Sequence, residues 1–187
     1  RWMMREVIGK CSEIRKVIPE FRVSINISQV QASKSDVIQD ISAEMKRTGL
    51  PLEALIVELT ESDLLEQNIN EKHFLTELKR MGISLALDDF GTGYSNFHYL
   101  SELHPDIVKI DRGFTSKAIT DKKEYYLLSQ FSNMIHNLGL KLCIEGIETE
   151  DELQKMKLLK PDYCQGFYWG RPCPYDEFRK HFVDVDR

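Results

Sequence analysis

The chain has 187 residues, 42% of them hydrophobic and 29% charged, an ordinary balance for a globular domain of this size. Its formal net charge of −5 argues against a broad basic nucleic-acid footprint, so no DNA or RNA polymer is expected as partner. An anionic ligand would need metal ions to hold it.

No stretch approaches the roughly 20 apolar residues of a membrane span, and no signal-peptide pattern is present. The expected location is cytoplasmic, with any membrane tether of a parent protein lying in another domain. The cysteines (Cys11, Cys143, Cys164, Cys173) form no C-x-x-C pair, and the histidines form no H-E-x-x-H. Free thiols in a reducing compartment are the expectation, not a zinc site.

The opening "RWMMREV" reads as the start of a piece cut from something longer. Met3, Val7, Cys11, Ile14 and Ile18 recur at helical spacing and predict an amphipathic helix ended by Pro19. "FRVSINIS" follows as a strand. A helix over Ser35–Thr48 stops at Gly49 and Pro51, before a strand "ALIVELT". Another over Glu71–Met81 stops at Gly82, before "ISLALDD". After "DDFGTGYSNFHYL" a short helix leads to the strand "DIVKID". A long helix from about Lys122 to Leu138 gives way at Gly139 to "LKLCIEG". Thr149 and Glu152 make a capping box for the next helix, which Pro161 ends before "DYCQGFYWG". Pro174 opens a last helix with Tyr175, Phe178 and Phe182 on one face.

Strict alternation of helix and apolar strand predicts an α/β fold with a parallel sheet covered by helices. The strand ends carry the chemistry. They bear Asn26; Glu58 with Glu61 just beyond; Asp88 and Asp89; Lys109 with Asp111; Glu145 with Glu148; and Gln165. In a (β/α) barrel such ends converge on one face. One strand-end aspartate is often only a helix cap or a solvated turn; six coincident polar ends are harder to explain that way. Carboxylates in this number suit Mg²⁺, Mn²⁺ or Ca²⁺ rather than zinc or iron. Adjacent Asp88 and Asp89 are costly unless a cation sits between them or they face water, and a two-metal site fits displacement at a phosphorus ester. "GTGYSN" follows a strand as a dinucleotide fingerprint would, but Asn96 stands at its last position and two acids precede it. A mobile loop at the mouth is the better reading.

"INIS", "VELTES", "LALDDFGTGYSNFHYL", "VKIDRGF", "CIEGIETEDEL" and "CQGFYWGRP" occur in the order and approximate spacing of the EAL-domain family, which the chain resembles over nearly its whole length. Those proteins are bacterial second-messenger phosphodiesterases. The resemblance implies a TIM-type barrel and metal-dependent hydrolysis of cyclic di-GMP to linear pGpG, with two Mg²⁺ or Mn²⁺ ions. By position it implies that Asn26, Glu58, Asp88 and Asp89 are metal ligands and that Lys109 holds the attacking water. Glu145 matches the general base, Glu61 an acid bracing the loop after Asp89, and Gln165 and Asp111 residues near the substrate.

The family's Glu-Ala-Leu strand is missing. Glu53-Ala54-Leu55 repeats its letters at the entry of "LIVELT", the wrong end of a strand. The expectation is therefore one domain, residues 1–187, a truncated EAL phosphodiesterase domain with about six of eight barrel strands and impaired activity. A homodimer or association through the open barrel edge is expected, as is an upstream regulatory domain in the parent. The alternative is a cyclic di-GMP receptor that binds without cleaving; intact Asp88, Asp89 and Glu145 favour the enzyme.

Overall fold

The computed structural model describes residues 2–33, 36–60, 69–91, 100 and 103–184, the side chains of 69–72 excepted. Helix and strand alternate in it as the hydrophobic periodicity predicts. The chain resolves into two compact units, Arg1–Glu58 with Gln67–Ser84 and Pro172–Arg187, and Leu59–Glu66 with Leu85–Arg171.

In the first unit, α1 (Trp2–Ile14) buries Met4, Ile8, Cys11 and Ile14, while Met3 is 51% exposed. The expected stripe through Met3 and Val7 is therefore rotated. The apolar doublets Met3-Met4 and Val7-Ile8 admit two neighbouring stripes, and packing selects the one centred on Cys11. The helix also ends at Ile14 rather than near Pro19, with Ile18 N–H held by the Ile14 carbonyl at 2.9 Å in the following turn.

Strand β1 (Val23–Asn26) leads through a short α2 (Gln29–Ala32), unforeseen in the sequence, to α3 (Val37–Thr48), which ends at Gly49. Leu52–Ala54 forms a single 3-10 turn, and β2 (Leu55–Thr60) begins directly after it. Glu53-Ala54-Leu55 thus lies at the strand entry, as expected. β1 and β2 are parallel, in register from Val23 opposite Leu55 to Asn26 opposite Glu58. Helix α4 (Ile69–Met81) completes this part of the unit.

Between α1 and α3 sits a buried carboxylate. Glu44, 7% exposed, receives Arg5 Nε at 2.9 Å on one oxygen and Arg47 Nε at 2.6 Å on the other. The tail of the chain also belongs to this unit. Helix α8 (Tyr175–Phe178) continues into a π turn, Arg179–Val183, in which Asp184 N–H reaches back five residues to the Arg179 carbonyl. Phe178 stacks with Phe182 and meets the edge of Phe21, and Tyr175 donates to Glu13 at 2.9 Å. The expected face is present, but the wider turn also buries Val183 beneath it.

The second unit carries β3 (Ser84–Phe90, from Leu85 onward), β4 (Ile107–Ile110), β5 (Lys141–Ile144) and β6 (Tyr163–Cys164), parallel and adjacent in that order. All four residues of β4 are buried, as a strand covered on both faces requires. Helices α5 (Arg112–Thr120), α6 (Lys122–Asn137) and α7 (Glu150–Lys157) alternate with these strands. The expected capping box of Thr149 and Glu152 opens α7. Helix α5 was not foreseen. The Asp111 carboxylate accepts Gly113 N–H at 2.7 Å and starts it, and Asp121 accepts Lys123 N–H at 2.7 Å to start α6. Phe90, Phe131 and Phe114 meet edge to face beneath them. The short helix expected after "DDFGTGYSNFHYL" falls partly outside the described residues. All four cysteines are free, with Cys11 and Cys143 buried.

Replacing Glu44 with alanine removes the acceptor that both arginines share. Because both guanidinium groups are more than half exposed, water recovers them, and the expected loss is about 1–2 kcal/mol. That corresponds to a melting temperature lower by roughly 2–8 °C. Thermal unfolding followed by circular dichroism reads this, and an unchanged midpoint would remove Glu44 from the account of how α1 packs on α3.

Candidate active site

Two groups of polar residues stand at strand C-termini. The first is a pair. Asn26 ends β1, and Glu58 lies directly opposite it on β2, where the Glu58 carbonyl also accepts Ile27 N–H at 3.0 Å. Asn26 is exposed and Glu58 is 6% exposed.

The second group begins with an irregularity in β3. Ala86 and Leu87 pair with Ile107 and Val108, but the next partners are Phe90 and Ile110. Asp88 and Asp89 therefore stand together against Lys109 alone, the arrangement of a β-bulge. Asp89 takes up the extra residue with φ of +55°. Aspartate tolerates this left-handed conformation better than most residues. In a regular strand these neighbours would point to opposite faces. Here oxygens of Asp88, Asp89 and Glu145 all lie within 4.8 Å of one another.

Lys109 is the cation of this cluster. Its Nζ lies 2.9 Å from Asp88 Oδ1 and 2.8 Å from Glu145 Oε1, and the side chain is only 6% exposed. Asp88 Oδ1 also accepts Asp89 N–H at 3.1 Å. The Asp89 carboxyl is pushed above the usual carboxylate range, first by burial and then by the negative charges of Asp88 and Asp111; Lys109 opposes the shift. Glu145 follows β5, its N–H bonded to the Ile110 carbonyl at 3.2 Å.

Of the remaining expected residues, Asp111 caps α5 through Oδ1, and Gln165 follows β6 with its N–H on the Ile144 carbonyl at 2.9 Å. Glu61 lies outside the described residues, as does the "TGYSN" part of the loop. Sequence reasoning missed Arg112, which bridges to Glu148 at 2.5 Å beside this cluster. The available signal was an arginine directly after one strand end and a second acid after another.

The family model for the EAL domain matches residues 1–172. The chain belongs to the EAL-domain family. The EAL domain of Mycobacterium smegmatis DcpA superimposes with a TM-score of 0.88 at 30% identity, covering 96% of this chain and 82% of that one. The structure of Pseudomonas aeruginosa MucR phosphodiesterase in complex with c-di-GMP gives 0.86 at 29% identity, over 95% of this chain and 72% of the other. In sequence, the MucR bifunctional diguanylate cyclase/cyclic di-GMP phosphodiesterase is 32% identical over 158 residues, 84% of this chain and 23% of the relative. The chain spans about a quarter or less of the length of the first curated relatives it matches. The fold class is thus that of EAL domains, an α/β fold of TIM type represented here by six parallel strands and incomplete as a barrel.

Three carboxylates with hard oxygen donors in one cluster fit a hard divalent cation. Asp89→Asn keeps a residue that tolerates positive φ and removes one charge. Without divalent ions this variant is expected to melt slightly higher than wild type, because the raised Asp89 carboxyl destabilises the fold once pH rises through its folded-state pKa, an effect that water screens at this exposed side chain. The gain should fade as pH falls through the folded-state pKa of wild-type Asp89. Mn²⁺ should raise the wild-type midpoint and raise the variant's less. Equal Mn²⁺ shifts in both proteins, read by differential scanning calorimetry, would take Asp89 out of the ion site.

Proposed function

We propose that this chain is part of an EAL phosphodiesterase domain, residues 1–187, that hydrolyses one phosphodiester of cyclic di-GMP to give linear pGpG. The observation that carries the reading is Lys109 Nζ placed between Asp88 and Glu145, with Asp89 in the same cluster. Membership of the EAL family and the c-di-GMP complex of the similar MucR domain support the substrate.

Asp88 and Asp89 would hold Mg²⁺ or Mn²⁺, which when bound supplies positive charge to the phosphoryl oxygens and makes water a better nucleophile; Asn26 and Glu58 are proposed as metal ligands from their match to the family alone. The chain's own residues do the rest. A lysine ammonium carries three protons, and two of those on Lys109 point to Asp88 and Glu145. From that position Lys109 would hold the attacking water. Glu145 accepts that water's proton as oxygen attacks phosphorus and the opposite P–O bond breaks. Asp111 and Gln165 orient the substrate, Asp111 through the oxygen that does not cap α5.

A cytoplasmic location, dimerisation and an upstream regulatory domain belong to the same reading. No described helix is long and apolar enough to cross a membrane.

The direct test incubates the full-length parent protein with cyclic di-GMP and Mn²⁺ and separates the products by chromatography. pGpG is expected, with Glu145→Gln lowering turnover by at least about a hundredfold while cyclic di-GMP still binds. Tight binding with no pGpG from the wild-type parent would turn the reading to a receptor. Normal turnover by Glu145→Gln would remove Glu145 as the base.

A further inference from the structure

Glu145 needs a fixed carboxylate, yet the residue after it is a glycine. Gly146 has φ of +79°, a conformation that costs glycine nothing and leaves the peptide next to the base free to swing. What lies on that glycine is Arg112. A Cβ built on Gly146 would fall 2.4 Å from Arg112 Cγ and 2.8 Å from its Cβ, so the arginine stem covers the peptide directly. The guanidinium continues past it to Glu148, with Nη2 2.5 Å from Oε1, and lies 5.9 Å from the centre of the Phe167 ring.

The far side of the same turn is fixed independently. Ile147 is fully buried, donates its N–H to the Gln165 carbonyl at 3.1 Å and accepts Tyr168 N–H at 3.0 Å. Gly166 approaches so closely that a Cβ there would stand 2.0 Å from the Ile147 carbonyl oxygen. Glu148 N–H is held by Glu152 Oε2 at 2.7 Å. Gly146 is thus the one permissive joint between an anchored β5 and an anchored Ile147, and Arg112 is the side chain that closes it.

We propose that Arg112 is a positioning residue for Glu145. It ties the ends of β4, β5 and β6 together and restricts the Gly146 peptide, so that Glu145 keeps the orientation in which it meets Lys109. The inference rests on Glu145 acting as the base, as proposed above. Arg112 and Glu148 are 57% and 37% exposed, so their ion pair adds little to global stability. The role is local geometry, and misplacement of a reacting group by about 1 Å can cost on the order of a hundredfold in rate.

The test compares the wild-type parent protein with its Arg112→Ala and Arg112→Lys variants in the presence of Mn²⁺. Arg112→Ala is expected to lower kcat by roughly 10–100-fold with KM changed less than about threefold. Arg112→Lys retains the stem over Gly146 and the charge toward Glu148, and should recover most of the loss. Amide hydrogen exchange supplies a readout that needs no turnover. At Ile147 and Glu148 it should rise at least about tenfold in Arg112→Ala, while Val108 and Leu142 in the strands stay unchanged. A kcat within twofold of wild type, or unaltered exchange at both amides, would overturn the proposal. If wild type cleaves no cyclic di-GMP, the functional reading fails, and the exchange measurement decides by itself whether Arg112 holds the turn.

Discussion

A strand presents successive side chains to opposite faces of its sheet, and a cluster built from neighbours such as Asp88 and Asp89 has to break that rule. The break is one extra residue on β3. By setting Asp88 and Asp89 against Lys109 alone, the bulge brings both carboxylates near Glu145 from the next strand but one. The rest of the second unit serves this placement. Leu87 and Phe90 remain paired on either side, buried against the sheet's helices, so the irregularity is confined between two anchored positions.

Lys109 is the electrostatic counterpart of the bulge. Two carboxylates about 4 Å apart repel by roughly 4 kcal/mol at the effective dielectric of a protein surface. A buried ammonium held between Asp88 and Glu145 offsets much of that cost and leaves Asp89 as the acid with the raised pKa. The same contacts that let the cluster fold in the absence of a divalent ion also place a proton donor beside a candidate base. Stability and chemistry therefore rest on one side chain, with Arg112 fixing the turn from which Glu145 projects.

Much of this was legible in the sequence because the period of hydrophobic residues and the polar residue at each strand end survive in any register. The alternation of elements, the capping box at Thr149 and the entry position of Glu53-Ala54-Leu55 all follow from local pattern. The bulge is not local. Nothing in "LALDDFG" states that Asp88 and Asp89 share one partner; that depends on pairing with β4. Helix α5 was hidden for another reason, since Asp111 was read as a substrate residue and its second capability, accepting the Gly113 amide, was overlooked. In α1 the doublets Met3-Met4 and Val7-Ile8 left the buried stripe undetermined until its packing chose Met4 and Ile8. Arg112 carried no motif of its own, and its contacts to Gly146, Glu148 and Phe167 arise only when three strand ends meet.

The central claim is that the carboxylates gathered by the bulge are an ion site. Diffraction from crystals grown with Mn²⁺, collected at a wavelength where manganese scatters anomalously, tests it most directly. The account predicts an anomalous peak within about 2.0–2.6 Å of oxygens of Asp88 and Asp89, with Lys109 still beside Glu145. Full Mn²⁺ occupancy elsewhere on the chain, with no peak at these carboxylates, would contradict it.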